Sequence, residues 1–279
     1  MEFLMEKLSG KSRDNIKALL RNKQVWVGDK IVSQFNHPLV AGQTVKVSGS
    51  RSRVEKRFTE FTIVFEDEYL VVIDKSAGLL SIATKNEKRM TAFSMVSDFV
   101  KHQDPGNKIF VVHRLDRETS GLLVFARNEV VKRQLQESWN EPDVDKTYVA
   151  VVEGKLEKHA GTIVSYLSED KVYHVHSSQN PKHGQKAITH FSVIQSNDDY
   201  SLLEISLETG RKNQIRVHMQ DIGHSIVGDK KYGAVSSPIR RLGLHAQKLR
   251  FIHPVTGERL AFETKVPLAF LSLFKRKYK

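Results

Sequence analysis

The sequence predicts an α+β protein with a mixed, largely antiparallel sheet flanked by helices, preceded by a small α+β domain. Three observations support this class. From Thr62 onward, short runs of β-branched and aromatic residues outnumber helical patterns, and many of them are joined by short turns. The N-terminal segment differs, because two helical patterns there precede a hairpin and a further strand. The predicted division is a small domain at residues 1–48, a linker at 49–61 and a large domain at 62–279.

Length and charge set the first limits on function. The chain has 279 residues, 39% of them hydrophobic, and carries 44 Lys or Arg against 32 acids, a net charge of +12. This charge favours a polyanion as partner, and nucleic acid is the commonest, because each phosphate contact releases counterions. No apolar run approaches about 20 residues and no signal peptide is present, so we expect no membrane partner. The lack of cysteine excludes disulfides and thiolate metal sites and fits a cytoplasmic protein, which we expect to be monomeric.

The N-terminal segment carries half of the net charge, since residues 1–60 hold 12 Lys or Arg and 6 acids. A first helix is predicted to end by Gly10, and Ser12 is the predicted N-cap of a second. The apolar stripe of this second helix consists of Ile16, Leu19 and Leu20. Another face carries three cations at a spacing of four, Arg13, Lys17 and Arg21. These cations are predicted to bind RNA phosphates, although an ordinary solvated helix face explains the charge pattern equally well.

After this helix, residues 25–27 and 31–32 flank a Gly-Asp turn and predict a β-hairpin, and residues 45–47 predict a third strand. Residues 48–53 are small or basic and predict a flexible linker. Two helices followed by a hairpin and a strand, with cations on the second helix, resemble the small RNA-binding module named after ribosomal protein S-four. The resemblance implies that the N-terminal domain binds RNA.

The large domain begins with a predicted strand pair at 62–65 and 69–74. Thr91 is the predicted cap of a helix that ends at the turn residues 104–107. The remaining predicted elements are a helix at 129–138, strands at 146–152, 187–194 and 200–207, a helix at 212–222 and a C-terminal helix at 267–277. Strands therefore dominate this domain, with helices on the flanks of the sheet.

One loop of the large domain sets a single carboxylate among cations. Residues 113–121, His-Arg-Leu-Asp-Arg-Glu-Thr-Ser-Gly, lie between apolar runs at 109–112 and 122–126 that predict strands. Reactive groups often occupy such loops, because rigid strands hold them while substrate can still reach them. By composition alone, however, the more usual fate of Asp116 is a surface pair with Arg114 or Arg117.

This nonapeptide resembles the active-site signature of the RluA class of pseudouridine synthases. Four further segments resemble motifs of that family, namely residues 71–80, 146–154, 209–233 and 244–254. The sequence departs from the family pattern at five positions, Asp74, Ser76, Lys212, Asn213 and Ser225. At these positions the family usually has Asn, Pro, Thr, His and Pro. The departures avoid Asp116, Tyr148 and Arg216, so they bear on substrate fit more than on chemistry.

The resemblance implies an enzyme that isomerises uridine to pseudouridine in RNA with no cofactor and no metal. Asp116 would act on the sugar, by direct attack or by a glycal-like route, while Tyr148 would stack on the base. Arg216 would pair with Asp116 and keep it ionised, and Arg114 would fill the gap left by the flipped uridine. Ribosomal RNA, of the large subunit first, is the favoured substrate and transfer RNA the second candidate. Without the resemblance, the alternative for Tyr148 is a half-buried aromatic residue of a strand, and the alternative for Arg216 is a cation on the surface of a helix.

Other functions remain open from the sequence. A non-catalytic RNA-binding or ribosome-assembly protein on a synthase scaffold would keep the basic surface without depending on Asp116. A carbohydrate hydrolase would need a second acid, and Glu118 lies too near on the same loop to fill that role. Three histidines are close enough in sequence to suggest a metal site, His174, His176 and His183. A polar loop is the favoured interpretation of these histidines, and no metal is predicted.

Overall fold

In a computed structural model of the chain, two units are separated after Val54. The structure describes residues 1–21, 24–28, 30–47, 56–57, 60–84, 87, 89–139 and 141–274. The units are Met1–Val54 and Glu55–Lys279. Their boundary falls inside the segment 49–61 that was predicted as a linker. The predicted basic run at 48–53 lies outside the described residues.

The small unit packs two helices with a three-stranded antiparallel sheet. Its elements are α1 (Glu2–Lys7), α2 (Arg13–Arg21), β1 (Val25–Val27), β2 (Lys30–Ile31) and β3 (Val45–Val47), with the strand order β2-β1-β3. The predicted apolar stripe of α2 is buried at Ile16 and Leu20, which cluster with Leu4 and Val25. Ser12 Oγ accepts a hydrogen bond at 3.3 Å from the N–H three residues further on, as expected of an N-cap. Capping and burial of one face together account for α2.

The large unit is built on one twelve-stranded sheet, counted over the described residues. Its strands are β4 (Lys56–Arg57), β5 (Phe61–Glu66), β6 (Leu70–Lys75), β7 (Phe110–Val111), β8 (Ser120–Ala126), β9 (Asp145–Glu153), β10 (Ala160–Glu169), β11 (Val175–Ser178), β12 (Gln185–Ser196), β13 (Tyr200–Leu207), β14 (Leu244–Ile252) and β15 (Arg259–Glu263). The order is β11-β10-β12-β13-β9-β14-β8-β6-β5-β4, with β15 beside β14 and β7 beside β8. Among the pairings of these strands, that of β8 with β14 is parallel and the others are antiparallel. The predicted fold class is confirmed.

The helices of the large unit are α3 (Ala92–Gln103), α4 (Glu129–Ser138), α5 (Gln214–Asp221) and α6 (Leu268–Ser272). Helices were predicted at all four places, and α3 and α4 each begin at a side chain that satisfies a free N–H group. Thr91 Oγ1 accepts from the Ser94 N–H at 3.1 Å, and Asn128 Oδ1 accepts from the Val131 N–H at 2.8 Å. Within the described parts of the chain, no helix is long and apolar enough to cross a membrane.

Strands β6 and β8 form the buried centre of the large unit. All seven residues of β8 are buried, and successive residues face opposite sides of the sheet. Leu123 and Phe125 pack in the cluster that contains residues of α3, whereas Leu122 and Val124 pack with residues of α4. The predicted active-site loop, which precedes β8, is therefore attached to a rigid strand.

Strands β8 and β14 approach each other so closely that residue 121 must be glycine. Gly121 has a φ of +115°, and a Cβ atom there would lie 2.2 Å from the carbonyl oxygen of Ala246. Gly121 pairs with Ala246 in the parallel ladder, next to the pair of Ser120 with His245. The last residue of the signature nonapeptide thus joins the predicted active-site loop to β14.

Helices α5 and α6 differ from their predicted bounds, and one long strand was not predicted. Helix α5 begins at Gln214 and not at residue 212, because Asn213 has a left-handed φ of 55° that interrupts the helical backbone. Strand β10 was not predicted, because its residues are mostly exposed or half-buried and its stability comes from pairing with β11 and β12. Helix α6 ends at Ser272, and residues 275–277 of the predicted C-terminal helix lie outside the described residues.

Two buried histidines are expected to make the stability of the large unit depend on pH. His218 and His245 are 0% and 3% exposed, and burial lowers the pKa of each from 6.5 to about 4. The Arg241 cation contributes to the lowered pKa of His245. Between pH 4 and pH 6.5 the unfolded chain binds protons that the folded chain excludes. The free energy of unfolding should therefore fall as the pH falls through this window.

His218→Gln tests this expectation, because the amide of glutamine can replace the ring in hydrogen bonds but does not titrate. Each buried histidine should contribute a slope of up to about 1.4 kcal/mol per pH unit. Urea denaturation of His218→Gln should therefore show a shallower loss of stability with falling pH than the wild type. His37→Gln, which changes an exposed histidine of the small unit, is the control for the His-to-Gln substitution itself. Equal slopes for wild type and His218→Gln would contradict burial of the neutral ring.

Candidate active site

The loop that carries Asp116 is fixed at the residues on both sides of it. Ser81 Oγ donates to the Leu115 carbonyl at 2.7 Å and accepts from the Leu115 N–H at 3.1 Å. The Gly78 N–H donates to the Arg117 carbonyl at 2.9 Å, and Arg117 Nε donates to the Gly78 carbonyl at 3.0 Å. The segment that follows β6 therefore holds Asp116 in one position, as a reactive group requires.

A buried lysine lies beneath the same loop. Lys75 is 0% exposed, and its Nζ donates at 3.0, 2.8 and 3.2 Å to the carbonyls of Ser76, Leu79 and Arg117. Burial lowers the pKa of Lys75 to about 8, although the nearby Glu118 carboxylate opposes this shift. The three carbonyls replace the water that the ammonium loses on burial. Lys75 thus ties the end of β6 to the loop of Asp116.

Arg216 reaches Asp116 from helix α5. Its Nη1 donates to Asp116 Oδ2 at 3.2 Å. Its Nε and Nη2 donate to the two carboxylate oxygens of Asp229, both at 2.7 Å, in a two-point contact. Burial alone would lower the pKa of Arg216, but the hydrogen bonds and charges of Asp229 and then Asp116 raise it. Arg216 is therefore a permanent cation shared by two carboxylates.

Two further side chains complete the support of Arg216. Asn213 Oδ1 accepts from Arg216 Nη1 at 3.1 Å, and Asn213 Nδ2 donates to the Tyr232 hydroxyl at 2.9 Å. The ring of Tyr232 lies 4.8 Å from the guanidinium carbon, within the distance of a cation–π contact. Because Asp229, Asn213 and Tyr232 all contact it, the guanidinium is directed toward Asp116 in a fixed orientation.

The three predicted catalytic residues line one cavity. It has a volume of about 500 Å³, and its walls include Asp116, Tyr148, Arg216 and the exposed Arg114. A cavity of this size is typical of small-ligand sites. Burial, and then the charge of Asp116, raise the pKa of Tyr148, so its phenol stays neutral. A neutral, half-buried ring and an Arg-paired carboxylate therefore meet in the same cavity.

The other predicted RNA-binding residues belong to the small unit. Arg13, Lys17 and Arg21 are exposed on α2. Lys17 has an ion pair with Asp14 at 3.6 Å, and both side chains are at least half exposed. Exposed pairs of this kind are weak, so the pair leaves Lys17 available to a phosphate.

Asp229 and Tyr232 had no predicted role, and Asn213 was predicted only to depart from the family pattern. A signal was present, because residues 228–233 read Gly-Asp-Lys-Lys-Tyr-Gly and follow the arginine motif. That pattern does not say which residue contacts Arg216. Ser225, another departure, donates from its Oγ to the Tyr232 carbonyl at 2.7 Å and so supports the same cluster.

The predicted histidine loop offers no metal site in the described part of the chain. No group of three or more His, Asp and Glu side chains there could hold a metal ion. His176 Nε2 instead pairs with Asp170 Oδ2 at 2.8 Å. The segment was predicted as a polar loop, and this is right only in part, because His176 lies in strand β11, which pairs with β10.

The arrangement can place one reactive carboxylate against a substrate. Among the described side chains, Arg216 is the hydrogen-bond donor to Asp116, and it engages Oδ2, so Oδ1 can approach a substrate carbon or proton. A carboxylate in this setting can serve as nucleophile or general base. Two neighbouring carboxylates are already paired, Asp229 with Arg216 and Glu169 with Lys212. The two-carboxylate pattern of a glycosidase is therefore not favoured.

Comparison with protein families identifies the class of enzyme. The model of a family described as RNA pseudouridylate synthase matches residues 69–221, more than half of the chain. This chain belongs to the RNA pseudouridylate synthase family. The matched segment includes Asp116, Tyr148 and Arg216. The predicted enzyme class, an isomerase that acts on RNA, is confirmed, and the non-catalytic alternative is not favoured.

Several relatives in this family span most of the chain. The uncharacterized RNA pseudouridine synthase YhcT of Bacillus subtilis is 33% identical over 256 residues, covering 88% of this chain and 84% of the relative. The tRNA pseudouridine synthase C of Vibrio parahaemolyticus is 34% identical over 239 residues, covering 78% and 95%. The ribosomal large subunit pseudouridine synthase D of Escherichia coli is 28% identical over 291 residues, covering 98% and 89%. Relatives of this synthase thus include proteins named for both ribosomal and transfer RNA.

A solved structure agrees with the fold. The human RNA pseudouridylate synthase domain containing 4 superposes with a TM-score of 0.62 at 24% identity, covering 75% of this chain and 90% of that one. The likeness shows that the two chains share a fold over this part. The S-four-like character of the small unit stays a prediction.

Proposed function

We propose that this enzyme isomerises specific uridines of ribosomal RNA, those of the large subunit first, and works as a monomer. The observation that carries the proposal is the contact of Asp116 with Arg216 at the wall of the cavity. The net charge of +12 supports a large polyanionic substrate. The relative named for the large ribosomal subunit covers 98% of this chain, against 78% for the relative named for transfer RNA. Transfer RNA is therefore the second candidate.

In the proposed reaction, the bond between ribose C1′ and uracil N1 breaks, the base turns, and C1′ bonds to uracil C5. N1 gains a proton and C5 loses one, so the product is an isomer and nothing is oxidised or hydrolysed. Asp116 either attacks C1′ and holds the sugar covalently, or accepts a proton from C2′ on the way to a glycal. Both routes require the ionised carboxylate, which the Arg216 cation stabilises.

The remaining site residues are proposed to position the nucleotide. Tyr148 stacks on the uracil ring, a role that its neutral phenol and its place in the cavity wall support. Arg114 occupies the space that the uridine leaves in the RNA, because a target inside a base stack must be flipped out before it can react. The exposure of Arg114 beside Asp116 supports this role.

Isomerisation of defined RNAs tests the proposed function. Full-length protein is incubated with unmodified large-subunit ribosomal RNA and, separately, with unmodified transfer RNA. Pseudouridine is then mapped by carbodiimide adducts and primer extension. We expect a few fixed sites in the ribosomal RNA. If only transfer RNA is modified, transfer RNA replaces ribosomal RNA as the proposed substrate. If neither RNA is modified, the proposed function is wrong.

The small unit is proposed to be an S-four-like RNA-binding module that contacts RNA along α2. Its order of two helices and three antiparallel strands supports this interpretation. The exposure of Arg13, Lys17 and Arg21 on one helix supports it further. Cations that contact phosphates release counterions, which makes the affinity fall with rising salt.

Replacing Arg13, Lys17 and Arg21 together by Gln should therefore weaken RNA binding and flatten its salt dependence. Each lost phosphate contact lowers the slope of log K against log salt by about 0.7 to 0.9, so the triple variant should lose about 2 to 3. Lys7→Gln, on α1 and paired with Glu6 at 2.9 Å, is the control for charge and should change little. The rate at saturating RNA should be spared. Titrations over a range of potassium chloride that give equal slopes for wild type and triple variant would refute the role of α2.

A further inference from the structure

The turn between β10 and β11 exposes an aromatic residue among cations. Tyr173 is 67% exposed and the neighbouring Val172 is 79% exposed. Lys212 Nζ lies 5.2 Å from the centre of the Tyr173 ring, and Lys231 Nζ donates to the Tyr173 carbonyl at 2.6 Å. We name residues 170–174 with Lys212 and Lys231 the tip cluster. An open aromatic face beside positive charge is the combination that binds unpaired nucleic acid.

The backbone of Tyr173 has a conformation that a tyrosine disfavours. Tyr173 has a left-handed φ of 61°, which is uncommon for a bulky side chain. Asp170 closes the turn, because its Oδ1 accepts from the N–H groups of Val172 at 2.9 Å and His174 at 2.8 Å. Strain of this kind persists where surrounding contacts enforce it, and it is frequent at ligand-binding positions. The hydrogen bonds of Asp170 therefore hold the turn in the conformation that exposes the Tyr173 ring.

The tip cluster is continuous with the active site. Lys212 lines the catalytic cavity, and together with Arg211 and Glu169 it also lines a second cavity of about 330 Å³. The three residues are shared, so the two cavities are neighbours. From β11, the Val175 N–H donates at 3.2 Å to the hydroxyl of Tyr232, the residue that lies against the catalytic arginine. Lys212 therefore belongs both to the catalytic cavity and to the tip cluster.

We propose that the tip cluster is a subsite for the unpaired RNA that adjoins the flipped uridine. A base stacks on Tyr173, and Lys212 binds a backbone phosphate between this base and the target nucleotide. In the free protein Lys212 pairs with Glu169, and these side chains are 35% and 36% exposed. A pair this exposed is weak, so a phosphate can take the place of the carboxylate. The proposal rests on the Asp116 site acting on RNA.

The tip cluster places cations on one side of the catalytic cavity, and Lys212 itself lines that cavity. Lys231 and Arg211 add further positive charge on the same side. The subsite therefore contributes to the choice of RNA, whereas Asp116 contributes to the isomerisation itself.

Tyr173→Gly separates stacking from folding. Glycine adopts a left-handed φ without strain, so the turn is kept while the ring is lost. We expect the Kd of the full-length protein for a short, unstructured, single-stranded RNA to rise roughly 5- to 100-fold, the range for loss of one stacked base. Tyr173→Trp should restore a Kd near that of the wild type. Val235→Ala, which shortens a 94% exposed side chain outside the tip cluster, is the control and should not change the Kd.

Lys212→Gln tests the phosphate contact. The slope of log K against log salt should fall by about 0.7, the value for one contact with a single strand. Lys158→Gln is the matched control, because Lys158 is exposed just before β10, at the opposite end of that strand from Glu169. It should keep the wild-type slope. With ribosomal RNA as substrate, the losses in both tip variants should be larger in KM than in kcat.

A wild-type Kd for Tyr173→Gly would overturn the inference. An equal loss of RNA affinity in Tyr173→Trp would also overturn it, because the effect would then come from the turn and not from stacking. An unchanged salt slope for Lys212→Gln would overturn the phosphate contact. The binding probe contains no special uridine, so these results do not depend on which RNA the enzyme modifies. Failure of the wild type to modify ribosomal or transfer RNA would instead count against the proposed function alone.

Discussion

Asp116→Asn should abolish isomerisation while leaving the affinity for RNA nearly unchanged. Asparagine has almost the size of aspartate, and its side-chain oxygen can still accept the hydrogen bond from Arg216 Nη1 that the structure shows at 3.2 Å. The amide carries no charge, so it can neither attack the sugar nor accept a proton. We expect the single-turnover rate to fall by roughly a thousandfold or more, toward the upper end of what one acid–base group contributes.

The rate is best followed through the hydrogen that uracil C5 loses, by release of tritium from RNA labelled at that position. The matched control is Glu118→Gln, which removes a carboxylate from the same loop. Glu118 is half exposed and pairs with Arg117 at 3.8 Å, and it has no proposed part in the chemistry. The control should keep most of the rate. If Asp116→Asn keeps a near-normal single-turnover rate and an unchanged Kd for RNA, a group other than Asp116 must be the catalytic residue.

Arg216→Gln should both destabilise the large unit and slow the reaction. The side chain of Asp229 is 1% exposed and has both oxygens bonded to Arg216, so the substitution leaves a buried carboxylate without its cation. Breaking one side of such a pair typically costs about 3–5 kcal/mol. In a unit of this size the loss should lower Tm by roughly 6–20 °C. The rate should fall because Asp116 loses the cation that orients it and stabilises its charge.

A double-mutant cycle measures the interaction energy between Arg216 and Asp229 apart from the effect of each residue alone. Asp229→Asn together with Arg216→Gln removes both charges, so the double variant should be less destabilised than the sum of the single variants. Arg216→Lys should be intermediate, because an ammonium keeps the charge but cannot make the planar two-point contact. Arg250→Gln is the control, since Arg250 and Asp145 are 4.0 Å apart and both more than half exposed. Its cost should not exceed about 1 kcal/mol.

Rates in this series are compared at a temperature where urea denaturation shows each variant to be folded. Arg216→Gln should then be slower than Arg216→Lys, and both slower than wild type. Additive effects of Arg216→Gln and Asp229→Asn on stability would refute the coupled pair. A folded Arg216→Gln with the wild-type rate would mean that Arg216 does not serve Asp116.

The sequence by itself predicted most of the local elements and the carboxylate that is proposed to react. Helix α3 was predictable because Thr91 is a good cap and apolar residues recur behind it at helical spacing, and the helical pattern of α4 was likewise visible, whereas its Asn128 cap was seen only in the structure. Strands such as β9 and β13 were predictable from continuous apolar runs. Asp116 was identified through the resemblance of its loop to a family signature, which no propensity or charge pattern supplies. Each of these follows from residues that are neighbours in sequence or from a family motif.

The tertiary structure alone decided how that carboxylate is held. Arg216 and Asp116 are 100 positions apart, and the roles of Asp229, Asn213 and Tyr232 follow from contacts to the same guanidinium. The left-handed backbone of Asn213 and the pairing of β10 with its neighbours likewise come from packing and hydrogen bonds. Local preference is a weak energy that tertiary contacts override, and a hydrogen bond between distant residues leaves no periodic trace in the sequence. The orientation of Arg216 toward Asp116 therefore emerges only when α5 and the loop before β8 are brought together in the folded large unit.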